Sequence, residues 1–217
     1  MKPPLKIDVF SDLCCPWCII GATRLDAALS RLPADAPIDV EFHPFLLDRN
    51  TPASGVNVPE MLRIKHGVTD PRTIWARVES EARQSGIPLD LSRQPMAYSS
   101  IDGHTVIRAA RAKGTQRALH RALIEGYFLG IQNIADHTVL DRIAREHGFG
   151  EGEVAALLAD PGERQRTLDE ADRAIALGIR SVPTFVLGGR RALPSGQSAD
   201  QLYAIFRQAF NAEAVEA

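Results

Sequence analysis

Length, composition and charge exclude several classes of protein for this chain of 217 residues. Its 45% hydrophobic content is enough for one large domain, or for one domain with a sizeable insertion, without stabilising disulfides. The 25 basic and 27 acidic residues are interspersed, and the formal charge of −2 gives no electrostatic case for binding nucleic acid or a membrane surface.

The start of the chain lacks the apolar stretch of a secretory signal. No run of about 18 apolar residues is available to cross a membrane. Three cysteines are also a small and odd number for a secreted disulfide scaffold. These features predict a cytoplasmic protein.

The first elements predict a β-α-β unit. A short apolar strand over residues 7–10 leads into a helix whose apolar positions recur at steps of three and four residues, namely Cys18, Ala22, Leu25, Leu29 and Leu32. Pro33 ends this helix, and residues 38–47 follow as a second strand that Pro44 interrupts. The spacing suits a right-handed crossover between parallel strands.

A long helical block then interrupts the α/β pattern. From residue 59 to residue 159 the apolar positions follow helical spacing in successive blocks. Within this block Asp70 and Pro71 fit a helix N-terminus, and residues 86–88 fit a helix stop. We therefore predict an all-helical insertion over residues 56–161.

The α/β pattern resumes after the insertion. One more helix precedes a strand over residues 182–187 and a short strand over residues 190–193. Ser198 and Gln201 fit a capping box that opens the last helix. The fold class is α/β, and we assign residues 1–55 and 162–217 to one domain that carries the insertion.

The tetrad Cys15-Pro16-Trp17-Cys18 lies where the first strand gives way to the first helix. Unpaired N–H groups and the positive end of the helix dipole favour a thiolate at a helix N-terminus. Cys15 is therefore expected to be the exposed nucleophile, and Cys18, one turn deeper, to resolve the mixed disulfide. Pro16 suits the helix start, and Trp17 adds an apolar wall beside the sulfurs.

Other interpretations of these residues remain open. A Cys-x-x-Cys pair can be half of a zinc site, but no second pair exists, and two cysteines can also be inert core residues. Cys14 is expected to pack at the strand end, since a direct bridge to Cys15 would be strained. Asp12 either caps the loop or assists proton transfer, and His104 is expected to be a structural group rather than a catalytic one.

This arrangement resembles the DsbA family of thioredoxin-fold proteins, and more narrowly its cytoplasmic FrnE-like branch. The residues that carry the resemblance are the tetrad at 15–18 with Ile20-Gly21, then Pro44-Phe45, His104, Val182-Pro183-Thr184-Phe185 and Ser195-Gly196-Gln197. The resemblance implies a thioredoxin-like fold, in which Pro183 is cis and faces the cysteine pair and the backbone before it offers a strand-like edge to the substrate. It implies that Pro16, Trp17, Val182 and Pro183 bind the substrate.

The chain departs from the pattern of this family around His104, where it has Ser100-Ile101 and Gly103-His104-Thr105.

The predicted function is that of a thiol:disulfide oxidoreductase with Cys15 and Cys18 as catalytic residues. Its expected partner is a protein or small molecule that carries a thiol or a disulfide; no bound cofactor or metal is expected, although glutathione could act as a redox co-substrate. One alternative is a glutathione-dependent enzyme similar to kappa-class transferases or 2-hydroxychromene-2-carboxylate isomerases. Another is a non-enzymatic chaperone or binding module that uses the helical block.

Overall fold

A computed structural model describes residues 4–193 and 196–215 of the chain, with side chains through residue 210. Within these residues the strands, in chain order, are β1 (Leu5–Ser11), β2 (Ile38–Pro44), β3 (Val56–Asn57), β4 (Met96–Ala97), β5 (Thr184–Leu187) and β6 (Arg191–Ala192). The helices are α1 (Pro16–Leu29), α2 (Val58–His66), α3 (Arg72–Gln84), α4 (Ile101–Ala110), α5 (Gln116–Phe128), α6 (His137–Arg145), α7 (Glu153–Ala159), α8 (Pro161–Ala176) and α9 (Ala199–Val215).

A four-stranded mixed sheet lies at the centre of the fold, with the strand order β2-β1-β5-β6. β1 and β2 are parallel and in register from Leu5 opposite Ile38 to Ser11 opposite Pro44, as the predicted crossover requires. β5 and β6 add antiparallel strands on the other side of β1. β1 is buried along nearly its whole length because it is the inner strand between β2 and β5.

Helix α1 connects the two parallel strands and buries one face. Pro16 occupies its first turn, where a missing N–H costs nothing. Its buried side chains include Cys18, Ile19, Ile20 and Leu25. α1 packs against α9, α5 and α3, so the N-terminus of this helix lies between the sheet and the helical block.

The strands after β1 are shorter than predicted. β2 ends at Pro44, because beyond this residue the chain turns and the Leu47 N–H bonds to a side chain rather than to β1. β5 begins at Thr184, because Pro183 before it has no N–H to donate to a strand ladder.

The interval from 56 to 161 is mainly helical rather than all-helical. β3 and β4 form a small antiparallel sheet in which Val56 lies opposite Ala97 and Asn57 opposite Met96. Strands of two residues carry no hydrophobic period, so the sequence pattern could not indicate them. The division of the chain at residues 55/56 and 161/162 stays a prediction.

The predicted start of α3 is displaced by one residue, because Pro71 rather than Asp70 is the N-cap residue and the helix begins at Arg72. Asp70 still accepts a hydrogen bond from the Arg72 backbone N–H. The predicted cap of α9 is found. Ser198 and Gln201 exchange reciprocal hydrogen bonds at the start of α9, which is the geometry of a capping box. No helix in the described part of the chain is long and apolar enough to cross a membrane.

Candidate functional site

The two cysteines of the tetrad lie at the two ends of the first turn of α1. Cys15 is the N-cap residue, and its N–H donates to the Asp12 carbonyl at 3.1 Å. The Cys18 N–H donates to the Cys15 carbonyl at 2.9 Å and closes the turn. The Cys15 side chain makes no capping hydrogen bond, so its sulfur is free of the helix backbone.

Cys15 is not the exposed residue that the sequence predicts. Its relative exposure is 4%, and that of Cys18 is 1%. The Cys15 thiol donates to the Val182 carbonyl at 3.6 Å, because the loop before β5 lies over the start of α1. Sequence position alone places Cys15 at the helix start, whereas the covering loop comes from a segment 167 residues away.

The loop that covers Cys15 contains the cis peptide bond Val182–Pro183, so the predicted cis conformation is found. Gly21 in α1 allows this loop to approach. A Cβ atom built at Gly21 would lie 2.5 Å from Pro183 Cγ and 3.6 Å from Phe185 Cζ. Glycine therefore occupies a position where any side chain would push the proline away from the helix.

Asp12 fixes the loop between β1 and α1. Its Oδ1 accepts from the Cys14 N–H at 3.1 Å, and its Oδ2 accepts from the Leu47 N–H at 2.7 Å. The residue is 2% exposed. Both carboxylate oxygens are thus used to join the segment after β1 to the segment after β2, which supports the loop-capping interpretation of Asp12.

The Cys18 sulfur lies in a buried polar region behind α1. It accepts from the Asp12 backbone N–H at 3.5 Å. Burial, followed by the interaction with Cys15, raises the pKa of the Cys18 thiol well above its ordinary value, and hydrogen bonds from Ser11 and from the Asp12 backbone oppose this rise. Cys18 therefore stays protonated unless a neighbouring group takes its proton.

Two buried histidines lie in the same region. His120 Nε2 is 2.9 Å from Ser11 Oγ, and the His120 ring stacks on Phe42 with centroids 4.0 Å apart. His104 Nε2 lies 3.9 Å from Asp12 Oδ1. Burial lowers the pKa of both histidines, so both are neutral at neutral pH. The site thus contains His104 and also His120, which the sequence analysis did not single out.

Cys14 points away from the other two sulfurs. Its thiol donates to the Tyr98 carbonyl at 3.2 Å. Burial and the negative charge of Asp12 raise the pKa of Cys14 well above its ordinary value. Packing at the end of the strand was expected for this residue, and the structure adds that Cys14 lines a cavity.

Trp17 separates two cavities beside the cysteine pair. A cavity of about 520 Å³ is mainly apolar, and its walls include Cys14, Pro16, Trp17, Met61, Trp75 and Phe128. A second cavity of about 350 Å³ lies on the side of the cis-proline loop and is lined by residues that include Trp17, Arg24, Arg77, Val182 and Pro183. The Arg77 guanidinium lies 5.8 Å from the Trp17 ring centroid, so α3 brings a cation to this wall.

The four predicted substrate-binding residues each line at least one of these two cavities. Ser195 lies outside the described residues.

On the other face of the sheet, Asp8, Glu41 and His43 lie close enough together to hold a metal ion. Lys6 Nζ lies 3.3 Å from Asp8 Oδ1 and 3.0 Å from Glu41 Oε2. His43 Nε2 lies 2.8 Å from the same Asp8 oxygen. The positive charge of Lys6 thus occupies the place that a cation would take.

Sequence reasoning missed Ser11 and His120 for a physical reason. Both are polar residues on the buried side of their elements, and only packing of α5 against the sheet brings them together across 109 residues of chain. The one available signal was the position of His120 between Leu119 and Leu123 on the buried face of α5.

Three comparisons place this geometry among known folds. A probable DsbA oxidoreductase, SCO1869, from Streptomyces coelicolor is 26% identical with a TM-score of 0.84, over 95% of this chain and 90% of that chain. The cytosolic disulfide reductase DsbM from Pseudomonas aeruginosa with GSH is 22% identical with a TM-score of 0.71, over 95% of this chain and 100% of that one. A 2-hydroxychromene-2-carboxylate isomerase is 16% identical with a TM-score of 0.68, over 98% of this chain and 100% of that one.

DsbM and the isomerase share with this chain the thioredoxin fold with a helical insertion. The family model of the DSBA-like thioredoxin domain matches residues 6–206, which include the cysteine tetrad, the helical block and the cis-proline loop. This chain therefore belongs to the family of DSBA-like thioredoxin domains.

Proposed function

We propose that the protein is a thiol:disulfide oxidoreductase that works through Cys15 and Cys18. The observation that carries this proposal is the position of the Cys15 sulfur. It lies at the N-terminus of α1, 3.6 Å from the Val182 carbonyl beside a cis-proline, with Cys18 one helical turn behind it. A helix N-terminus favours a thiolate, and a second thiol within one turn can attack the mixed disulfide that the first one forms.

The Val182–Pro183 loop would hold the substrate chain beside Cys15. A backbone segment of the substrate that pairs with Val182 would place its sulfur next to Cys15, in exchange for the present contact with the Val182 carbonyl. Pro16 and Trp17 would form the other side of this groove. Because the loop now covers Cys15, the substrate has to displace it slightly to reach the sulfur.

Glutathione fits the smaller cavity as a redox co-substrate. Arg24 and Arg77 line this cavity together with Val182. The Arg24 guanidinium is already paired with Glu81, so Arg77 is the group that would bind a carboxylate of that tripeptide. The structure of DsbM with GSH concerns a protein of the same fold. The narrower FrnE-like assignment and a cytoplasmic location, the location named for DsbM, are part of the same proposal.

The test compares two serine variants with the parent protein. Cys15→Ser removes the nucleophile and should abolish turnover of a disulfide substrate. Cys18→Ser leaves the nucleophile but removes the resolving thiol, and should accumulate a mixed disulfide at Cys15 that mass spectrometry detects. Cys14→Ser serves as the control and should retain activity. Undiminished turnover by Cys15→Ser would contradict the proposal.

An isomerase that acts on an apolar small molecule is the second candidate, because the cavity of about 520 Å³ beside Trp17 is mainly apolar. That chemistry uses glutathione without a resolving thiol, so it should survive Cys18→Ser. An assay of 2-hydroxychromene-2-carboxylate isomerisation with the parent and Cys18→Ser proteins distinguishes the two candidates.

A further inference from the structure

The Cys18 thiol cannot give its proton to solvent easily. It is 1% exposed, and its sulfur must be ionised to attack a mixed disulfide at Cys15. Burial favours the protonated form. A group inside the protein must therefore accept the proton as Cys18 attacks.

Ser11 and His120 lie on the side of α1 to which the Cys18 sulfur points. The Ser11 side chain interacts with Cys18 and lowers the pKa of its thiol, and Ser11 Oγ lies 2.9 Å from His120 Nε2. Ser11 and His120 are each 1% exposed. A hydroxyl can accept one proton while it donates another, and a neutral imidazole can accept a proton.

Asp12 is not the better acceptor, although it is nearest along the chain. Its Oδ1 and Oδ2 already accept from the backbone N–H groups of Cys14 and Leu47. The group that faces Cys18 is the Asp12 backbone N–H, which donates to the sulfur and cannot take a proton from it. The carboxylate instead lies against His104.

The two buried histidines differ in what their Nε2 atoms face. Each ring has one nitrogen without a hydrogen-bond partner among the described residues, Nδ1 in His120 and Nε2 in His104. His120 Nε2 contacts the Ser11 hydroxyl at 2.9 Å, whereas His104 Nε2 lies 3.9 Å from Asp12 Oδ1. His120 is therefore the histidine that can accept a proton through Ser11.

We propose that Ser11 and His120 form a proton relay that deprotonates Cys18 during resolution of the mixed disulfide. This inference rests on the proposed function. The Cys18 S–H bond breaks and its proton passes to Ser11 Oγ, while the Ser11 hydroxyl proton passes to His120 Nε2. The Cys18 sulfur then forms a bond to the Cys15 sulfur, and the bond from Cys15 to the substrate sulfur breaks. The substrate leaves as a thiolate with the electron pair, so it is reduced and the cysteine pair is oxidised.

The relay also works in reverse, when a substrate thiolate opens the Cys15–Cys18 disulfide and Cys18 leaves as a thiolate. The His120 proton then returns through Ser11 to the sulfur. Two charged or titratable groups act on His120 directly, His104 on α4 and Arg121 on α5. Cys18 lies on the far side of Ser11, and Asp12 lies on the far side of His104. Burial, followed by His104 and Arg121, disfavours a positive charge on His120, so the proton held there returns to the Cys18 sulfur when the disulfide opens.

Stopped-flow reaction of the reduced protein with 5,5′-dithiobis(2-nitrobenzoate) tests this relay. The reagent releases one coloured thiolate when Cys15 attacks and a second when Cys18 resolves the adduct, so the two steps are measured separately. All variants carry Cys14→Ala to remove the third thiol. His120→Gln retains a donor towards Ser11 but cannot accept a proton, and Ser11→Ala removes the bridging hydroxyl.

Both variants should leave the first phase unchanged and slow the second about 100-fold, within the range for loss of a general base. Because the two residues act in one relay, the double variant should be no slower than either single variant.

The pH dependence gives a second readout. Between pH 6 and pH 9 the rate of the second phase should rise about tenfold per pH unit in the variants, since hydroxide then removes the proton, and should be nearly constant in the parent. His104→Gln is the matched control, equally buried but against Asp12, and should change the second phase less than about threefold.

A second phase with the parent rate and pH profile in His120→Gln and in Ser11→Ala would overturn the relay, and so would a His104→Gln defect as large as theirs. If His120→Gln does not fold, as judged by circular dichroism, Ser11→Ala decides the question, because it deletes a single oxygen atom. Absence of the first phase in the parent would overturn the proposed function and the relay with it.

Discussion

The regions in front of and behind the first turn of α1 differ sharply, although Cys15 and Cys18 are only three residues apart. In front, Cys15 faces a loop carbonyl, and the next residues of α1, Pro16 and Trp17, line cavities whose walls include residues of α3 and of the cis-proline loop. Behind, the Cys18 sulfur accepts from the Asp12 backbone N–H, and the side chains of Ser11 and Asp12 in turn face the buried His120 and His104. One helical turn thus separates two different environments, with cavities and a loop carbonyl in front and buried polar groups behind.

The largest expected effect on stability comes from the region behind the helix. Asp12→Ala removes the acceptor of two backbone N–H groups, those of Cys14 and Leu47. Each unsatisfied buried donor costs about 1–3 kcal/mol, and the Leu47 segment is partly exposed. We therefore expect the free energy of unfolding to fall by about 2–4 kcal/mol, measured by urea denaturation of the reduced protein.

Asp136→Ala is the control for this measurement. Asp136 also accepts a backbone N–H, that of Thr138, but at an exposed helix start. Loss of an exposed cap should cost about 1 kcal/mol. Equal losses of unfolding free energy in the two variants would mean that burial does not strengthen the Asp12 hydrogen bonds. The region behind α1 would then be no more sensitive to this change than an exposed helix start.

An intermediate effect is expected in the front region from Gly21→Ala. The new Cβ would lie 2.5 Å from Pro183 Cγ, so the cis-proline loop must move away from α1. Overpacking of this kind costs about 1–3 kcal/mol. The rate at which Cys15 forms a mixed disulfide should also change, because the loop covers that sulfur, whereas the rate of resolution by Cys18 should not.

Gly150→Ala is the matched control for Gly21→Ala, since its new Cβ would meet only Glu153 Oε2 at an ordinary 3.7 Å. Its unfolding free energy should stay within about 0.5 kcal/mol of the parent value. A Gly21→Ala protein with unchanged stability and unchanged Cys15 reactivity would show that the loop does not depend on this close approach.

The smallest effect concerns Cys14, which lies at the border of the two regions. The pKa of this thiol is raised on folding, so above the ordinary value of 9.0 the unfolded chain loses a proton that the folded chain keeps. The stability of the reduced protein is therefore complete below about pH 9 and falls as the pH rises further, by about 1.4 kcal/mol per pH unit for each such thiol.

Cys14→Ala should remove one thiol from this dependence. Urea denaturation at pH 8, 9 and 10 with reductant should then show that the stability lost between pH 8 and pH 10 is smaller by about 1.4 kcal/mol than in the parent, which retains Cys14 and Cys18. Identical slopes in the two proteins would contradict the burial of a protonated Cys14 thiol.

Local sequence patterns predicted the α/β elements on both sides of the helical block and the position of the cysteine pair, but not β3 and β4. The alternation of apolar residues and the position of Pro16 were enough to locate the first strand, the first helix and the cysteine pair between them. The cis state of Pro183 came from the resemblance to the DsbA family, because only about 5% of X–Pro bonds in folded proteins are cis.

Only the tertiary structure decided what surrounds each sulfur. Burial of Cys15 depends on Val182, and the polar region behind Cys18 depends on His120, residues that lie 167 and 109 positions from their partners. Hydrophobic period and helix caps report interactions within a few residues along the chain. They carry no information on which distant side chains meet, because packing of whole helices on the sheet sets those distances.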